Sequence, residues 1–258
     1  MTADLQALFD QARAQIILAT VVFFRVGAAM ALLPGFGEKT VPMRVRLALA
    51  LAFTAIITPA VAPSLTATIE SRTALIKVLT AETMTGLALG LVFRLFVLAL
   101  EMAGSLAAQS SSLSQMFGGA GEPAPAISHL LITAGLALGF LSGLHVRLAS
   151  ALILSYAALP AGEFPRAAGM RDWGLAQISR SFAMAFSLAA PFVIAALIYN
   201  VALGVINRAM PSLMVSLIGA PALTAGALIL LAIAAPLLLA VWNVGFSGFL
   251  AHPFAVPR

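Results

Sequence analysis

Arg25, Glu82, Arg94 and Glu101 each stand deep inside a run of apolar residues, and Arg147 lies near the end of another. A charge at the centre of a lipid-facing helix costs about 2.5–3.5 kcal/mol on insertion scales, so such groups must face protein or water. Glu82 and Arg94 are three four-residue steps apart and Arg94 and Glu101 are seven apart, a spacing that predicts all three near one side of a single helix. Two chemistries fit that row. One is a relay for protons or ions; the other is a set of structural ion pairs that fixes helix register in a bundle.

Other reactive side chains do not assemble into a site. His129, His145 and His252 are widely separated, and no nearby carboxylate completes a metal triad or an H-E-x-x-H helix. Ser110, Ser111, Ser112 and Ser114 have no histidine close in sequence to act as base, and neither a nucleophile elbow nor a P-loop occurs. With no cysteine, thiol catalysis, disulfides and Cys-based metal sites are excluded. The expectation is a protein without catalytic, metal or cofactor chemistry.

The elements that must position the charges are set by composition. Of 258 residues 62% are apolar and 9% charged, against about 25% charged in soluble domains. The apolar residues gather into runs of membrane-spanning length, so the chain belongs in lipid or among apolar neighbours there. Fourteen Lys and Arg against nine Asp and Glu give +5, but the basic residues are scattered, which argues against nucleic acid. Asp4 and Asp10 precede Arg13, so the start lacks the basic region of a cleavable signal and the first apolar run is expected to be retained.

About six helical segments follow. Residues 16–33 and 45–62 read as a hairpin across Pro34-Gly35-Phe36-Gly37 and a charged connection. Residues 78–108 and 127–159 are each too long for a hydrocarbon core of about 30 Å. Residues 163–180 suit a membrane-surface loop with Trp173 as interfacial aromatic. Beyond residue 180 the only charge before the terminal arginine is Arg208, in a break between residues 182–206 and 213–250. The second of those runs holds Pro221 and Pro236 and is either two spans or one kinked helix. The distribution of Lys and Arg favours a cytoplasmic amino terminus.

Two glycine ladders, Gly86 and Gly90 on one long helix and Gly135, Gly139 and Gly143 on the next, let backbones approach closely where lipid provides no hydrophobic push. Between those helices, residues 109–121 form a polar, glycine-containing break. It must lie outside the bilayer, be buried in protein or line an aqueous path. Its Met116-Phe117 pair suits a displaceable pore closure, or a single apolar contact in an ordinary loop.

Several pieces together resemble the FliR family of flagellar export-gate proteins, with its virulence-system counterparts, the SctT proteins. They are Arg25 with Leu33-Pro34-Gly35-Phe36; Val41-Pro42-x-Arg44-Val45-Arg46; Glu82-x3-Gly86-x3-Gly90; Glu101-x2-Gly104 leading into the Ser/Gln/Met/Phe/Gly loop; Gly143-Leu-His145 running to Ser155 and Pro160-x-Gly162; Pro191 to Asn200; and Gly204, Asn207-Arg208-Ala209-Met210-Pro211 and Gly219-Ala-Pro221. Departures are Glu122-Pro123 where such families often carry Asp-Pro, and Ser142-Gly143-Leu144-His145 where they carry a Gly-Gly-His-His-like run.

The resemblance implies an all-α, membrane-associated protein of kinked, overlong helical hairpins in a hetero-oligomeric export gate of the bacterial inner membrane, at the flagellar basal body. It implies a part at 1–161 resembling the FliP-like subunit and a hairpin at 162–258 resembling the FliQ-like subunit. Partners would be FliP-like and FliQ-like subunits, an FlhB-like switch protein, unfolded secreted proteins and membrane lipid. The family's plug loop maps onto Ser110, Ser111, Ser112, Met116, Phe117, Gly118 and Gly119, and Arg25, Glu82, Arg94, Glu101 and Arg208 are expected as buried charges. A virulence-type secretion subunit, or a small-molecule or ion transporter using Glu82, Arg94 and Glu101, are the alternatives.

Overall fold

A computed structural model describes residues 2–37, 41–65, 75–112, 126–210 and 215–254. Among them run seven helices and no strand: α1 (Thr2–Leu32), α2 (Met43–Leu65), α3 (Leu75–Ser112), α4 (Ala126–Leu141), α5 (Leu144–Ala158), α6 (Ala167–Ala209) and α7 (Val215–Ala251). Five are long and apolar enough to cross a membrane, and the broken pair α4 and α5 would make a sixth. The chain is an all-α membrane protein.

Helix is the only way for such a run to pair its own backbone groups in lipid, which is why prolines sit inside α2, α6 and α7 without ending them. Hydroxyls near these prolines hydrogen-bond inward, Thr58 Oγ1 to the Thr54 carbonyl at 2.7 Å and Ser187 Oγ to the Ala183 carbonyl at 2.8 Å. From Val215 onward the second run is therefore one helix, with Pro221 and Pro236 inside it.

Two expectations are corrected. Residues 127–159 are not one helix: the chain breaks at Ser142 and Gly143, where Gly143 adopts φ 81, a left-handed conformation open to glycine at little cost. Residues 163–180 are not a surface loop, since α6 starts at Ala167, just past Pro165, and no proline interrupts it until Pro191. Trp173 is accordingly not an interfacial anchor. It is 7% exposed, donates Nε1–H to the Pro253 carbonyl at 2.8 Å and stacks on Phe254.

The chain divides into two compact units. One comprises Met1–Leu95, Gly143–Ile178 and Ser247–Arg258; the other comprises Phe96–Ser142 and Ser179–Phe246. In the first, α1 and α3 pack backbone to backbone. A methyl added at Gly86 would run into the Arg25 carbonyl oxygen, and one at Gly90 would lie 2.6 Å from that of Ala29. Both partners advance by four residues in the same sense, so the two helices run parallel in step, with glycine at both of these contacts.

In the second unit the core gathers on Trp242, whose Nε1–H donates to the Phe96 carbonyl at 2.7 Å while its ring lies against Phe246, itself stacked on Phe96. Gly135 meets Leu100, and Gly104 meets the backbone of Ser128, so α3 and α4 also cross at a glycine.

Candidate functional site

Side chains on a helix lean toward its amino terminus. Arg25, whose backbone touches Gly86, thus reaches one turn back along the parallel helix α3 and meets Glu82. Nε donates to Glu82 Oε2 at 2.8 Å and Nη2 to Oε1 at 2.9 Å, a two-pronged charged pair with both side chains fully buried. Nη1 donates to Ser155 Oγ at 3.0 Å, and Nη2 also donates to the Leu159 carbonyl at 2.9 Å. The Tyr156 ring lies 3.7 Å from the guanidinium carbon.

The third participant is the end of α5. Leu159 is its C-cap residue, so Arg25 places a cation where the helix dipole is negative and satisfies a terminal carbonyl. Pro160-Ala161-Gly162 then turns the chain back, with Gly162 at φ 74, and the Gly162 N–H donates to Glu82 Oε1 at 3.1 Å. One ion pair thereby ties α1, α3 and the α5 terminus together. Four of the five guanidinium N–H groups are used, and the carboxylate accepts three. Such a group is equipped to hold three segments in one geometry. A relay would need an oxygen free to exchange protons with a mobile carrier, and both oxygens of Glu82 already accept charged or backbone donors.

Glu82 and Arg94 do not share a face as their spacing suggested. Each four-residue step overshoots a turn by about 40°, so three steps carry Arg94 about 120° round α3. Arg94 is half-buried, while Glu101, Arg147 and Arg208 are exposed on this chain. Arg208 sits in the last turn of α6, where a cation suits the helix dipole. The burial expected for Glu101 and Arg208 is therefore not provided by this chain's own helices.

Of the residues assigned to the loop, Ser110 is buried and bonds the Ala107 carbonyl at 2.8 Å. It borders a cavity of about 240 Å³ lined by Phe192, Tyr199, Leu223 and Leu230. Ser111 and Ser112 complete α3. Met116, Phe117, Gly118 and Gly119 lie outside the described residues. Of the glycine ladders, Gly86, Gly90 and Gly135 make the close approaches, Gly139 is buried, and Gly143 turns the chain with open space around it.

Ser155, Tyr156 and Leu159 as partners of Arg25, and Gly162 as a partner of Glu82, were not foreseen. Two of them contribute backbone atoms, which residue type does not reveal; only the proline and glycine of the turn hinted at a special backbone.

A family model described as bacterial export proteins, family 1, matches residues 16–249. Over 237 residues the chain is 30% identical to the flagellar biosynthetic protein FliR of Caulobacter vibrioides, covering 89% of this chain and 92% of that protein. Over 252 residues it is 27% identical to the flagellar biosynthetic protein FliR of Aquifex aeolicus, covering 93% and 94%.

Proposed function

The chain belongs to the bacterial export proteins of family 1, the FliR and SctT family, and from that membership we propose that it is a structural and gating subunit of the flagellar protein export gate in the bacterial inner membrane. The observation that carries this reading is the extent of the match: family and flagellar relatives align along nearly the whole chain, so no large part is left to serve another purpose. As a flagellar export component it would work beside FliP-like and FliQ-like subunits and an FlhB-like switch protein, passing unfolded secreted chains. Residues 1–161 would take the place of one FliP-like subunit and residues 162–258 that of a FliQ-like hairpin. This division concerns resemblance, since the compact units interleave along the chain.

The arrangement of charges supports a subunit over a transporter. Glu82, the natural centre of an ion relay, is committed to Arg25 and Gly162, whereas Glu101 and Arg208 are exposed on helices apolar enough to span. Exposed charges on such helices call for other chains or water around them. Residues 110–119 would form the plug of the closed conduit, their Met116-Phe117 pair filling it and yielding on opening.

The test is deletion of residues 110–121 in the assembled complex. Membrane vesicles carrying the deletion should leak ions while the complex still forms, and cells should lose control of export. A deletion complex as ion-tight as the parent would overturn the plug. Failure of the intact chain to co-purify with FliP-like and FliQ-like partners would overturn the gate.

A further inference from the structure

Arg44 and Arg46 stand in the first turn of α2, at one end of a helix long and apolar enough to cross a membrane. Glu38 and Lys39, in the preceding connection, lie outside the described residues and carry opposite charges, so the two guanidiniums set the charge at this end of the hairpin. Arg44 is exposed. Arg46 is half-buried, and its Nη2 donates to the Val41 carbonyl at 3.4 Å. A side chain on α2 leans toward the helix amino terminus, which carries the Arg46 charge out of the span and toward headgroup depth.

Beside Arg46 a groove of about 330 Å³ opens between α1 and α2, two helices of the same compact unit. Phe24, Gly27 and Ala31 line it from α1, and Leu47 and Ala50 from α2. Its α1 wall, from Phe24 to Ala31, is about 10 Å long and follows the helix axis. A methyl added at Gly27 would find the Phe23 ring at an ordinary 3.6 Å as its nearest neighbour, so the glycine leaves the groove open. No carboxylate lines it, and Phe24 and Leu47 are exposed along its rim.

Lipid covers the apolar wall at no cost, so only the guanidiniums need a counterpart. At the depth where a span ends, the counterpart that lipid brings is phosphate, which a guanidinium grips with two parallel N–H groups. Two cations without a lining carboxylate favour a headgroup of net negative charge over a zwitterionic one. We propose that this groove seats an acyl chain of an anionic phospholipid whose phosphate is held by Arg46, with Arg44 adding charge beside it. The site depends on the chain being in a membrane and stands apart from the export function.

The test uses the full-length chain, with the subunits that accompany it, in membrane vesicles containing phosphatidylglycerol with a photoreactive group on its acyl chain. A phosphatidylcholine bearing the same chain is the control. Cross-links are mapped to the peptides carrying Gly27, Ala31 and Leu47. Phosphatidylglycerol should mark them about fivefold more than phosphatidylcholine. Arg44→Gln with Arg46→Gln should abolish that excess, Arg46→Lys alone should keep part of it, and Ala31→Phe should reduce marking by both lipids. Excess glycerol phosphate, which has the phosphate but no chain, should leave the marking unchanged.

Equal marking by the two lipids in the parent chain overturns the anionic site, and needs no variant to fold. Competition by glycerol phosphate overturns the lipid in favour of a free phosphate. Marking that occurs only when the other subunits are absent shows a partner chain in the groove and overturns the lipid as its occupant.

Discussion

Arg25 and Glu82 make the sharpest statement at the scale of single residues, because removal of either leaves the other charged and dry. Breaking a buried pair from one side costs about 3–5 kcal/mol, while replacing both members by apolar groups of similar volume is far milder. Arg25→Met and Glu82→Leu should each lower the yield and thermal midpoint of the detergent-purified complex sharply, and the double variant should recover much of the loss. Arg25→Lys should behave like a deletion despite keeping its charge, because one ammonium cannot reach both carboxylate oxygens, the Ser155 hydroxyl and the Leu159 carbonyl together. If Glu82→Gln left assembly intact but altered the pH dependence of export, the pair would be a relay and its structural role would fall. The charges were plain in the sequence as groups needing partners; which partner was not, because Arg25 and Glu82 lie 57 residues apart and the remaining ligands come from the far end of α5.

The glycines separate by what surrounds them at the scale of helices. Gly86→Ala must push α1 and α3 apart, since the new methyl meets the Arg25 backbone and a backbone cannot rotate away. A loss of about 1–3 kcal/mol is expected, felt also at the Arg25–Glu82 pair directly beside it. Gly143→Ala should cost about 1–2 kcal/mol for another reason, its left-handed conformation, although nothing crowds it. Gly204→Ala, helical with open space around it, should stabilise the isolated chain by about 0.5–1 kcal/mol. Thermal melts of the three variants in one detergent decide the order; a harmless Gly86→Ala would mean that α1 and α3 do not touch as described. Four-residue glycine spacing was legible as packing at Gly86 and Gly90, where both helices keep step. It misled at Gly143, because a turn-forming glycine and a packing glycine look alike in sequence. The start of α6 was missed for a related reason: Arg166, Arg171, Asp172 and Arg180 made the segment look like a loop, yet past Pro165 no proline interrupts it.

The distribution of cover bears on the whole molecule. Of the most apolar stretch of α7 only 17% is buried within this chain, against 56% for α3. Leu197, Ile198 and Val201 on α6 and Ile233 and Val244 on α7 are each more than half exposed. Lipid covers such a surface at no cost, so apolarity alone does not demand protein neighbours. The charges demand other chains or water, because Glu101 and Arg208 stand exposed on the same set of helices and lipid does not accept them. A chain that needs both lipid and polar surroundings should be poorly behaved alone. Purified by itself in mild detergent it should elute broadly, with light scattering showing mixed species. Co-expressed with two further small apolar subunits, it should elute as one sharp complex of fixed mass. Replacing Arg208 by Leu discriminates further: if its surroundings are partner chains, the complex should be recovered several-fold less well, whereas a water-facing Arg208 would leave recovery unchanged. A monodisperse isolated chain, indifferent to its companions, would show that one polypeptide already holds everything its charges require.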